Sequence, residues 1–201
     1  MDSRNRSGWF VGALALAALI PGLVRAADPE PTVAAEWRAH EFLLTYTGFT
    51  TMYSCDGLEW KLKLLLKTAG ARDDLSVRAT CSDPTGFPSR LVTARLKFST
   101  LALPGSPPVA GEKVDASKPA VPAIGVWRTV KLAQRSPRDL EAGDCELVEQ
   151  FQRELLPYFV TRDVKEHMSC TPHQVSPFGI DLAFDVLAAE PKPAATAPAK
   201  P

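Results

Sequence analysis

The sequence predicts an α+β fold in which two strand-helix-strand-strand halves form a mostly antiparallel sheet with two helices packed on one face. Two observations support this prediction. Cysteines recur at similar intervals, because Cys55 and Cys81 enclose 25 residues while Cys145 and Cys170 enclose 24. Each interval contains helical periodicity followed by strand-like alternation. Two halves with the same order of elements are most simply combined in one six-stranded sheet.

The two halves also match at a constant displacement. When the chain is shifted by 90 residues, a tryptophan falls on a tryptophan, a cysteine on a cysteine and a leucine pair on a leucine pair. These matches indicate an internal duplication, and the alternative is that similar elements recur without common ancestry. The matched positions are Trp37 with Trp127, Cys55 with Cys145, and Leu65–Leu66 with Leu155–Leu156.

The first half begins with a strand over about 38–47, where apolar side chains alternate. A helix follows Cys55, because leucines recur there at helical spacing with lysines between them, and Gly70 provides a C-terminal stop. Alternation predicts two further strands, around 77–81 and 92–98. The buried stripe of the helix is Leu58, Leu62, Leu65 and Leu66, and its polar face carries Lys61, Lys63 and Lys67.

The second half repeats this order with weaker patterns. Its first strand carries Val130 and Leu132, and its helix is expected to begin at an Asp144 N-cap and to end before Pro157. A third strand is expected over 164–170 and a fourth over 180–186. The helix is expected to bury Leu147, Val148, Phe151 and Leu155.

Composition divides the chain into segments. Arginines near the start, a short apolar run and small residues up to Ala26 are typical of a secretory signal peptide. Prolines concentrate in a central stretch and in the tail, where few side chains are large enough to offset the entropy of ordering. The predicted segments are a signal peptide 1–26, a flexible N-terminus 27–35, one domain 36–187 with halves 36–103 and 123–187 and a linker 104–122, and a disordered tail 188–201.

Four cysteines in a small exported chain favour a disulfide framework. Each first cysteine lies at a helix start and each second one at the end of the next strand, so the bonds Cys55–Cys81 and Cys145–Cys170 are expected. The alternatives are a reactive thiol at a helix N-terminus and a metal site that uses the weak candidates His167 and His173. Without a Cys-x-x-Cys spacing, and with Cys170 expected in a disulfide, neither a metal nor another cofactor is predicted.

Charge and motif content exclude several functional classes. The chain has 23 basic and 23 acidic side chains, and no basic cluster is interleaved with aromatic residues, so no nucleic-acid partner is expected. It has no glycine-rich phosphate loop and no serine elbow. After removal of the signal peptide no apolar run is long enough to span a membrane.

The most distinctive segment joins the first strand to the first helix and is rich in aromatic and hydroxyl side chains. Aromatic side chains offer contact area, and amides at a helix N-terminus can hold a carboxylate or another anion. The expected ligand-binding residues are therefore Tyr46, Phe49, Thr50 and Tyr53. The alternative is that the aromatic residues complete the core and the hydroxyls cap the helix.

These observations lead to one functional prediction and one alternative. The chain is expected to be an exported, soluble binding or structural module of the bacterial cell envelope, whose partner is a protein, an envelope component or a small ligand. The alternative is an exported hydrolase with a carboxylate and histidine site between the two halves, for which His40, His167 and His173 are the available imidazoles.

The disulfide prediction can be tested by a non-reducing peptide map of the untagged, exported protein. We expect an N-terminus at Ala27, no free thiol, and linked peptides that contain Cys55 with Cys81 and Cys145 with Cys170. Closure of each loop of about 25 residues contributes on the order of 3 kcal/mol by the chain-entropy estimate. Crossed linkages or free thiols would contradict the division into two halves.

Overall fold

The computed structural model describes residues 31–81, 87–109 and 121–190. The predicted signal peptide lies outside the described residues, as do most of the predicted linker and tail. The elements in chain order are β1 (Val33–Thr47), α1 (Cys55–Thr68), β2 (Ser76–Cys81), β3 (Leu91–Ala102), β4 (Val121–Ala133), α2 (Cys145–Glu154), β5 (Thr161–Glu166) and β6 (Asp181–Ala189). Short 3-10 turns flank α2 at Ala142–Asp144 and Leu156–Tyr158.

The six strands form one sheet in the order β2-β3-β1-β4-β6-β5, and every neighbouring pair is antiparallel. Each half contributes three adjacent strands and one helix, and the halves meet where β1 pairs with β4. The α+β class, the six-stranded sheet and its two helices are therefore confirmed.

The register of the central pair relates the two halves by an approximate two-fold axis. Ala34 pairs with Ile124 at the centre of the sheet, and these residues are 90 positions apart, the displacement seen in the sequence. The outer ladders match as well, since Trp37 pairs with Leu101 and Trp127 pairs with Leu187. The shared topology is a property of the structure, whereas common ancestry of the halves stays a prediction.

Both helices pack on the same face of the sheet and share one hydrophobic core. The leucine stripe of α1 is fully buried, as predicted, and each such side chain removed from water stabilises the fold by about 1.5–3 kcal/mol. The helix starts where the Ser54 side chain accepts a hydrogen bond from the Gly57 amide (3.1 Å), and the chain turns away at Gly70 with φ +98°. No helix in the described part of the chain has the length and apolar character needed to cross a membrane.

The two disulfides are those expected from the spacing of the cysteines. Cys55 at the start of α1 is bonded to Cys81 at the end of β2, with 5.8 Å between their Cα atoms. Cys145 at the start of α2 is bonded to Cys170, with a Cα separation of 5.5 Å. In each half the bond ties the beginning of the helix to the segment that follows it.

Several predicted boundaries differ from the structure. Strand β1 begins inside the segment 27–35, β4 begins inside the linker 104–122, and β6 continues through Ala189 into the predicted tail. The small residues in these extensions show little alternation of apolar and polar side chains, so the pattern did not predict them as strands. Their backbones nevertheless pair at the centre of the sheet. The third strand of the second half was predicted over 164–170 but lies earlier in the chain, because β5 runs from Thr161 to Glu166 and Cys170 lies beyond it.

The face of the sheet opposite the helices carries a smaller cluster of Ala35, Leu101 and Leu187. Trp37 and Trp127 pack against it, one in each half, and an arginine guanidinium lies over each ring. These arginines are Arg72, 5.5 Å from the ring centroid of Trp37, and Arg162, 4.3 Å from that of Trp127.

Gly125 lies at the centre of this second cluster, and a side chain there is expected to destabilise the fold. A Cβ atom would approach Leu187 Cδ1 to 2.7 Å and Leu101 Cδ1 to 3.2 Å. We expect Gly125→Ala to lower the free energy of unfolding by about 1–3 kcal/mol in urea denaturation with the disulfides intact. The neighbouring Ile124→Val, at an exposed position, serves as a control and should change it by less than about 0.5 kcal/mol. Equal effects of the two variants would contradict this packing.

Candidate functional site

The loop between β1 and α1 (residues 48–54) does hold a carboxylate, and that carboxylate belongs to this chain. The amides of Phe49 and Thr50 donate to Glu146 Oε2 over 2.8 and 2.9 Å, and Thr50 Oγ1 donates to Glu146 Oε1 over 3.1 Å. Thr51 Oγ1 donates to the Gly143 carbonyl over 2.7 Å. The loop of the first half is thereby joined to the start of α2 in the second half.

The two tyrosines predicted to bind a ligand face the interior instead. Tyr46 and Tyr53 are both buried, and their rings meet edge to face with centroids 5.0 Å apart. The Tyr46 hydroxyl donates to the Thr51 carbonyl over 2.7 Å. Burial, reinforced by the nearby Asp144 carboxylate, raises the pKa of both phenols above the ordinary value. Among the expected ligand-binding side chains, Phe49 is exposed and Thr50 is half-buried.

A buried polar network fills the junction between the halves. The Lys61 ammonium lies 2.6 Å from Asp144 Oδ2 and donates to the Asp139 carbonyl over 2.7 Å. The Tyr53 hydroxyl donates to Asp144 Oδ1, and the Glu141 amide donates to Asp144 Oδ2. Lys61 was expected on the polar face of α1, yet only 7% of its surface is exposed, because the second half covers it.

This network leaves the junction occupied by protein atoms. Asp144 is only 2% exposed and accepts hydrogen bonds from three donors, so its charge is compensated within the fold. Its side chain makes no capping bond to α2 and serves the network and a capping box with Glu141 instead. Around Asp144, Lys61 and Tyr53 the described junction between the halves is closed to solvent.

The histidines are dispersed. His40 is buried, with Nε2 2.8 Å from Thr100 Oγ1, while the exposed His167 lies 3.8 Å from Asp181 through Nδ1. His173 contacts the Phe49 ring at a centroid distance of 5.7 Å. Within residues 31–81, 87–109 and 121–190, no three His, Cys, Asp or Glu side chains are arranged to hold a metal ion.

An open cleft of about 570 Å³ lies at the end of the β4–β6 ladder. This ladder ends at Ala133 and Asp181, six residue pairs beyond Trp127, whereas the β1–β3 ladder continues for ten pairs beyond Trp37. The second half thus lacks four pairs that the first half has, and the cleft opens where they are missing. It is lined by Lys131, Ala133, Gln134, Arg135, Phe178, Ile180 and Asp181.

Two residues that line the cleft have unusual backbone conformations. Arg135 has φ 63° and Phe178 has φ 67°, a left-handed region that bulky side chains rarely adopt and that costs of order 1–3 kcal/mol. Phe178 is 86% exposed, while the neighbouring Ile180 is buried and forms the floor. Sequence reasoning missed both residues, because neither belongs to a periodic pattern and the point at which the ladder stops is a tertiary property.

No family model matches this chain, and no curated protein or solved structure matches it either.

The Lys61–Asp144 pair is expected to be strongly coupled. Lys61→Met leaves a buried carboxylate uncompensated, which should lower the free energy of unfolding by about 3–5 kcal/mol. Asp144→Asn in the same chain removes that charge, so the double variant should be more stable than the sum of the single effects indicates. The parent protein, the two single variants and the double variant form a double-mutant cycle, and the free energy of unfolding of each is measured by urea denaturation.

The exposed cross-strand pair of Glu41 and Arg95 provides the control for this cycle, since it should show a coupling of at most about 1 kcal/mol. Additive effects of Lys61→Met and Asp144→Asn on the free energy of unfolding would show that the two side chains are not energetically coupled across the halves.

Proposed function

We propose that this chain is an exported, non-enzymatic binding module of the bacterial cell envelope, and that it takes its ligand in the cleft beside Phe178. The observation that carries this proposal is a phenylalanine side chain held in solvent above an apolar floor. A large exposed aromatic side chain stabilises nothing in the free protein, whereas it supplies contact area to a bound ligand.

Two disulfides support export, because such bonds form and persist in oxidising compartments. The arginine-containing apolar leader in residues 1–26 supports the same compartment from the sequence. The bonds also provide a rigid scaffold, which a binding site requires if little affinity is to be lost in ordering its residues.

The backbone next to Phe178 is held by hydrogen bonds. The neighbouring Gly179 amide donates to the Ser176 carbonyl over 3.1 Å, and the Gly179 carbonyl accepts from the Ser169 amide over 2.8 Å. Gly179 also packs against Cys145 Sγ, which belongs to the second disulfide. The amide and the carbonyl of Gly179 are thus both hydrogen-bonded, so the chain segment that carries Phe178 is held in place.

The cleft is a better candidate for the ligand site than the loop between β1 and α1. Its volume of about 570 Å³ falls in the range of about 300–1,000 Å³ common for small-molecule sites. The loop amides, by contrast, are already bound to Glu146. In this proposal the loop residues brace the two halves, and Phe49 adds exposed aromatic surface on the loop.

Site-specific photocrosslinking in the native host tests this proposal. The photoreactive residue p-benzoylphenylalanine replaces Phe178 in one variant and Phe87 in a control, because Phe87 is also exposed but does not line the cleft. After irradiation of cells, intact-mass analysis should detect an added mass on the Phe178 variant alone. An adduct on both variants alike, or on neither, would argue against the cleft as the binding site.

A further inference from the structure

The cleft combines an apolar surface with cationic side chains. Its apolar part is formed by Phe178, Ile180 and Ala133, and Lys131 and Arg135 supply positive charge. Asp181 is the one acidic side chain in the lining. A ligand that fills this cleft therefore needs an apolar body. The net charge of the lining side chains determines which charge the ligand should have.

The charges in the lining do not cancel. The Lys131 ammonium lies 3.9 Å from Asp181 Oδ1, so this cation has an anionic neighbour. Arg135 is exposed and makes no ion pair within the described residues. One uncompensated positive charge therefore remains at the cleft, beside its apolar floor.

The backbone holds Arg135 in a defined position. It lies in a tight turn closed by two reciprocal hydrogen bonds, from the Ala133 amide to the Ser136 carbonyl (2.9 Å) and from the Ser136 amide to the Ala133 carbonyl (2.8 Å). The Arg135 amide also donates to the Leu140 carbonyl over 2.7 Å. A guanidinium fixed at its base is suited to bidentate binding of a carboxylate, sulfonate or phosphate oxygen pair.

We infer that the ligand is a small organic anion, with an apolar body against Phe178 and Ile180 and one acidic group on Arg135. This inference depends on the proposed function and specifies its ligand class. The volume of the cleft suits a small molecule, and its single uncompensated cation suits a single negative charge.

A matched pair of fluorescent probes separates the apolar from the anionic contribution. 1-Anilinonaphthalene-8-sulfonate and N-phenyl-1-naphthylamine have the same aromatic body, and only the first carries a sulfonate. Both are titrated into the processed, disulfide-bonded protein. We expect the sulfonate probe to bind about tenfold more tightly than the neutral probe, because one charge-assisted hydrogen bond contributes about that difference in affinity.

Three variants assign the contributions, and each is first shown to have the thermal unfolding midpoint of the parent protein. Arg135→Gln should weaken the anionic probe about tenfold and leave the neutral probe unchanged. Arg138→Gln, an exposed arginine outside the lining, should change neither affinity. Phe178→Ala should weaken both probes, because both use the same apolar wall.

The outcomes distinguish the inference from the proposed function. If Phe178→Ala weakens both probes while Arg135→Gln weakens neither, the cleft binds ligands but the anionic class is wrong. If Phe178→Ala changes neither affinity, the cleft itself is not the site. Displacement of the anionic probe by decanoate at about tenfold lower concentration than by 1-decanol supports a small organic acid. Displacement only by a peptide with an apolar C-terminal residue would overturn it.

Discussion

The central pairing of β1 with β4 is the constraint on which the rest of this structure depends. Only Val33–Trp37 pairs with Val121–Gly125, and beyond this short ladder each strand pairs only within its own half. The free edge of β1 is then met by the second half, because Gln150 Nε2 donates to the Thr45 carbonyl over 2.7 Å. In the other direction Arg128 of β4 donates to the Thr68 carbonyl at the end of α1. Each half thus satisfies backbone groups that the other exposes.

The buried network between the halves follows from this arrangement. Once α2 starts against the loop of the first half, Asp144 and Lys61 are covered and must pair, since an isolated buried charge is costly. A buried ion pair adds little net stability over an apolar replacement, but breaking it is expensive. We expect this pair to disfavour any other register of the halves, because a shift would also separate Asp144 from Tyr53.

The sequence is informative about local structure and much less so about the junction. The leucine stripe of α1 and the spacing of the cysteines depend on neighbouring residues, so periodicity and loop geometry were enough to predict both. Lys61 has the spacing of a solvent-facing residue, and only the arrival of the other half buries it. The amides of the loop between β1 and α1 hold a carboxylate of the same chain, but no local pattern could name Glu146, which lies 97 residues away from Phe49. Phe178 and Arg135 could not be found for the same reason, since the cleft exists only where a ladder stops.

The two halves differ around the cleft. By register, Lys131 and Asp181 occupy the positions of Glu41 and Arg95. The ion pair is thus present in both halves with its polarity reversed. Phe178 lies in a turn beyond the ladder, and the displacement along the chain that matches Asp181 with Arg95 matches it with Val92, which is fully buried. In the first half the β1–β3 ladder continues as far as Thr47 and Leu91, and it holds Val92 in a strand with its side chain in the core. Where the β4–β6 ladder stops in the second half, the chain turns instead, and the Phe178 side chain is exposed. In the proposed function, a ligand with an apolar body would cover the exposed Phe178 ring as the core covers Val92 in the first half.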